Sequence, residues 1–151
     1  MLGAMYPFWA AITANLIAQL LKPVFYYLRS KQWQFRWVIE SGGFPSSHTA
    51  TVTALTCAVG IQEQFHSTIF AVTLTFALIV AYDAANVRYY AGQNIRITQQ
   101  LIKDIQTLTQ TKLDDPVYLI KIKEVLGHKW IEVFGGFILG VVVALLLFLI
   151  K

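Results

Sequence analysis

A chain of 151 residues that is 56% hydrophobic and only 13% charged lies far from the roughly 25% charge of soluble domains. That balance excludes an ordinary soluble globular protein and points to a single membrane-embedded domain over residues 1–151. The formal charge is a modest +4, and Cys57 is the one cysteine, which excludes an internal disulfide framework and a thiolate zinc site.

The chain opens with "MLGAMYPFWAAITANLIAQLLKPV". It lacks the basic start of a secretory signal peptide, so it reads as a retained first span over about residues 8–28. A second apolar segment, residues 46–62, is rich in Thr, Ala, Ser and Gly. It covers only about 25 Å at the helical rise, and its small side chains place it at the bundle centre. A third span covers about residues 65–87 and a fourth about 131–150. Gly136 and Gly140 form a small-x-x-x-small pair in the fourth, suited to close helix contact. Trp33, Trp37 and Trp130 read as interfacial anchors.

Between the third and fourth spans lies a polar insertion, residues 89–127. Ile97, Leu101, Ile105 and Leu108 recur in it at helical spacing among Gln, Lys and Thr, the pattern of an amphipathic helix lying at the interface. The "LDDP" at 113–116 predicts a second helix, capped by Asp115 with Pro116 at its first position and ended by Gly127. The expected fold is therefore all-α: an integral membrane bundle of about four transmembrane helices with an interfacial amphipathic insertion.

Charge sets the expected topology. Eleven of the twelve Lys and Arg residues fall at the end of the first span, in the loop after it, or between the third and fourth spans, and "GIQEQFHS" on the opposite side has none. The positive-inside rule then puts both basic loops on the cytoplasmic face, or its organellar equivalent, and both termini on the other. His66 falls on the side away from the basic face.

On that basic face several polar features converge. Lys22 and Arg29 are seven apart, on one helix face. Ser46, Ser47 and His48 open the second span, and Arg88 ends the third. His128 and Glu132 are four apart at the start of the fourth. Singly, each has an ordinary explanation: a snorkelling cation, an N-cap serine, an i,i+4 helix pair. Together, with a helix N-terminus, they make an anion site. Asp83, an ionisable group near the end of an apolar span, reads as the partner of a site cation such as Arg29 or Lys22.

In this order these residues resemble a family signature. A lysine and an arginine seven apart, then Pro-Ser-x-His, then an arginine and later His-x-x-x-acid are similar to the motifs of the type-2 phosphatidic acid phosphatase superfamily, which includes bacterial acid phosphatases and vanadium haloperoxidases. "GGFPSSH", "YDAANVR" and "LGHKWIEVFGGFILG" look like its divergent branch, and the resemblance spans residues 22–140. Four positions depart from the pattern. Ser30 replaces a proline, Ser47 a glycine and Glu132 an aspartate, and forty residues separate Arg88 from His128 where the family has six.

The resemblance implies a lipid phosphatase that hydrolyses a phosphomonoester or diphosphate through a phosphohistidine. In it His128 is the nucleophile, Glu132 orients it, and His48 serves as general acid and then base. Lys22, Arg29, Ser46, Ser47 and Arg88 hold the phosphate, with Asp83 in support. The scheme needs no metal and no cofactor. The expected partners are a phospholipid or polyprenyl phosphate substrate and the membrane, and no nucleic acid. Two other readings fit the same residues: a lipid phosphotransferase using the same site, and a non-catalytic membrane protein that binds anionic lipids or partners on its basic face.

Overall fold

The computed structural model describes residues 2–38, 42–110, 115, 118 and 127–150. The described residues form five α-helices, α1 (Leu2–Ser30), α2 (Ser47–Glu63), α3 (Thr68–Ala85), α4 (Val87–Thr109) and α5 (Trp130–Ile150), with a short 3-10 turn at Phe35–Val38. The described residues contain no strand. The predicted helix at 113–127 falls almost wholly outside them, as does the side chain of Trp37.

α2 is the hub, packing against α5, α1 and α3. Its buried surface is made of small residues, among them Ala50, Thr53, Ala54, Ala58 and Gly60. Gly136 and Gly140 of α5 show why. A Cβ at Gly136 would lie 2.4 Å from the Ser46 carbonyl oxygen, and one at Gly140 would lie 2.6 Å from that of Ala50. The two backbones touch along one glycine stripe, a separation that only glycine permits. Tyr6 ties the far end, donating its hydroxyl to the Ala144 carbonyl at 2.7 Å.

Among the described residues, three stretches are long and apolar enough to cross a membrane: Gly3–Ser30, the continuous α3–α4 run Thr68–Thr109, and Trp130–Ile150. With the shorter, central α2 beside them, these stretches form the expected membrane helical bundle. α2 is shorter, at 17 residues, and its neighbours cover it. A helix shielded by protein needs no continuous apolar surface. The lipid-facing helices do, and α3 and α5 expose Ile69, Val72, Phe76, Phe134 and Leu145.

Helix ends follow local chemistry. Ser46 caps α2 by accepting the Thr49 N–H at 3.3 Å, and Ser67 caps α3 by accepting that of Phe70 at 3.2 Å, two oxygens satisfying otherwise orphaned donors. α3 ends at Ala85 and α4 starts at Val87, with Asn86 between them in a distorted right-handed helical conformation (φ −116°, ψ −71°). The predicted amphipathic helix is α4, and it begins ten residues before its apolar stripe. Ile97, Leu101, Ile105 and Leu108 are all exposed.

Candidate active site

The site forms where α1 ends, α2 begins, α3 ends and α5 begins. Its least expected feature is the junction between Arg88 and His128. Gly127 has φ +86°, a left-handed conformation natural to glycine, and a Cβ there would fall 2.3 Å from the Tyr89 nitrogen and 2.5 Å from the Arg88 carbonyl carbon. The next residue, His128, donates its backbone N–H to the Ala84 carbonyl at 2.8 Å. The chain that leaves at Arg88 therefore returns to the same point, and the two halves of the split motif meet.

His128 is 1% exposed. Its Nδ1 lies 3.0 Å from Glu132 Oε2, and that oxygen also accepts the Lys129 N–H at 3.2 Å. Glu132 is the third residue of α5, so the second contact is half of a capping box: the carboxylate reaches back to the N-cap amide. One carboxylate oxygen thus caps α5 and fixes the imidazole. Nε2 of His128 is buried with no hydrogen-bond partner, and so is Nδ1 of His48. The two rings face each other edge-on with centroids 6.1 Å apart.

Around His48 lie four charged or ionisable groups close enough to act on it: Arg88, His128, Lys22 and Asp83. Lys22, 2% exposed, points inward from α1 about two turns before its end. Arg88 donates from Nε to Asp83 Oδ2 at 2.6 Å. The sequence pointed to Arg29 or Lys22 as partners of Asp83. Arg88, on the far side of Asn86, pairs with it, a short-range contact that the span boundary concealed.

Ser46 and Ser47 are buried at the N-terminus of α2. The Ser46 hydroxyl oxygen is engaged by Thr49, from its N–H at 3.3 Å and its hydroxyl at 3.0 Å, and the Ser46 N–H donates to the Glu132 carbonyl at 2.9 Å. This serine ties α2 to α5 directly beside the histidines. Arg29 is exposed at the end of α1.

Adjoining these groups is a cavity of about 580 Å³ lined by α1, α4 and the start of α5. Lys22, Arg29 and Glu132 reach its wall, whereas Ser46, Ser47, His48, Arg88 and His128 do not. Other lining residues were not singled out from the sequence: Phe44, Gln93, Arg96 and Lys129. A signal for α4 existed. Tyr89, Gly92, Gln93 and Arg96 stand at i, i+3, i+4 and i+7, one helical face. No group of three or more His, Cys, Asp or Glu able to hold a metal occurs among the described residues.

Comparison with known proteins fits this geometry. A family model described as the divergent PAP2 family matches residues 4–143. The chain is also 34% identical over 147 residues to the uncharacterized membrane protein YuiD of Bacillus subtilis (strain 168), covering 94% of this chain and 93% of that protein. No solved structure matches at a significant level.

Proposed function

The chain belongs to the divergent PAP2 family, and from that premise we propose that it is a membrane lipid phosphatase, hydrolysing a phosphomonoester or diphosphate head group through a phosphohistidine. The observation that carries this reading is the asymmetry of His128. Its Nδ1 is held by Glu132 while its Nε2 is buried, unpartnered and next to a second imidazole. A carboxylate on one ring nitrogen orients the other and stabilises the imidazolium that forms as it attacks.

In this mechanism the Nε2 lone pair of neutral His128 attacks phosphorus. The bond from phosphorus to the lipid oxygen breaks, and protonated His48 gives its proton to that leaving oxygen. Water then attacks the phosphohistidine, His48 takes the proton of the water, and the P–N bond breaks to release inorganic phosphate. Both histidines return to their starting states. Lys22, Arg29 and Arg88 neutralise the non-bridging oxygens, assisted by the serines and amides at the start of α2. Asp83 positions Arg88. The substrate tails stay in the bilayer against the exposed apolar surfaces of the spans, with the site on the cytoplasmic face or its equivalent.

The direct test is phosphate release by the purified full chain against a panel of lipid phosphates and diphosphates, beside a folded His128→Ala variant. Release from at least one lipid, lost in the variant, is expected. Release from none, or equal release by the variant, would overturn the proposal.

A further inference from the structure

The cavity beside the histidines holds more positive charge than the scissile phosphate requires. About 580 Å³ is room for a small-molecule-sized ligand, well beyond a single phosphate. Among the described residues, four cations line it, Lys22 and Arg29 from α1, Arg96 from α4 and Lys129 at the start of α5, against one carboxylate, Glu132. That carboxylate is already committed to His128 and to the Lys129 amide. Among the described residues, no carboxylate pairs with Arg96 or Lys129. The phosphohistidine scheme uses Lys22, Arg29 and Arg88 and leaves these two without a role. They reach the cavity by design of the fold: Arg96 through the helical face it shares with Tyr89 and Gln93, Lys129 through the N-cap of α5.

We propose that Arg96 and Lys129 form a second anion subsite, so that the preferred head group carries a second phosphate close to the scissile one. The inference rests on the phosphatase reading above and narrows it. A head group with one phosphate would leave two cations unmatched in a partly enclosed cavity, whereas a diphosphate, or two phosphates across a short spacer, would engage both walls. A guanidinium is suited to this role because its planar fork pairs with phosphate oxygens two at a time.

Binding of unreactive phosphonates to the purified full chain in detergent, by calorimetry, tests this without turnover. The probes are methylphosphonate, methylenediphosphonate and propane-1,3-diphosphonate. At least one diphosphonate should bind about 10- to 100-fold more tightly than methylphosphonate, the yield of one or two charge-assisted contacts. Arg96→Gln and, separately, Lys129→Gln should each remove most of that margin while methylphosphonate affinity stays within about twofold. Lys103→Gln, a cation of α4 outside the cavity, should keep the margin. No margin in the wild type, or equal weakening of all probes by Arg96→Gln, would overturn the subsite. Lipid turnover without a margin leaves the phosphatase standing and removes the subsite, and a margin without turnover on any lipid does the reverse.

Discussion

Glu132 has two tasks, and they can be separated. Its carboxylate caps α5 at the Lys129 amide and orients His128. Glutamine retains an oxygen for the amide but loses the negative charge that would balance an imidazolium. Glu132→Gln should therefore unfold close to the wild-type temperature while turnover falls by up to about 10⁴-fold, the loss seen when a triad carboxylate is neutralised. Thermal unfolding alongside lipid-phosphate kinetics checks both halves, and full activity in Glu132→Gln would show that the charge plays no part. Arg88 makes a different demonstration. It is forty residues from His128 in sequence, yet Gly127 packs on its carbonyl carbon. In the proposed site Arg88→Ala removes one charged contact to the phosphoryl group, so inhibition by vanadate should weaken about 10- to 100-fold. Lys103→Ala should leave inhibition unchanged, and equal inhibition of Arg88→Ala would remove Arg88 from the site.

Among the elements, the α2–α5 contact fixes the site, because Ser46 and Glu132 are joined through backbone at its upper end. Gly140→Val would drive a side chain against the Ala50 carbonyl and the Ala54 amide, at 2.6 and 3.0 Å from its Cβ. Overpacking of this kind costs about 1–3 kcal/mol, and because the neighbours are backbone they have little room to yield. A clear drop in unfolding temperature is expected for Gly140→Val and none for Gly3→Ala, whose Cβ meets nothing within 4 Å. This contact was legible in advance because a small-x-x-x-small stripe in an apolar helix has few other uses. The apolar stripe of α4 was legible for a similar reason of spacing. Its start was not, since Asn86 breaks the helix without Gly or Pro, and hydrophobic residues run on through Val87. α2 was legible as the central helix because its small side chains suit burial among other helices rather than against lipid.

At the scale of the molecule, the helices alternate so that the ends of α1 and α3 and the starts of α2 and α5 share one face, with the α2–α3 turn on the other. Single cysteines replacing Gln34, His66 and Thr107 in a Cys57→Ala background should label from two sides of a sealed vesicle, 34 and 107 from one and 66 from the other. Labelling of all three from one side would refute the arrangement. The site was readable where residues sit close in sequence or carry a motif: Lys22 with Arg29, Ser46 to His48, His128 with Glu132. The cavity was not, because Phe44, Arg96 and Lys129 come from separate parts of the chain that meet only in the folded bundle. Its lining depends on tertiary approach, which no local spacing records. The whole fold nonetheless converges on one atom, the unpartnered Nε2 of His128. Rapid acid-free quenching of the purified chain with a ³²P-labelled lipid phosphate, followed by peptide mapping, reads that atom directly. The account predicts an acid-labile, base-stable label on the peptide that holds His128, absent from folded His128→Ala. Turnover with the label on another residue, or a label that persists in His128→Ala, would contradict it.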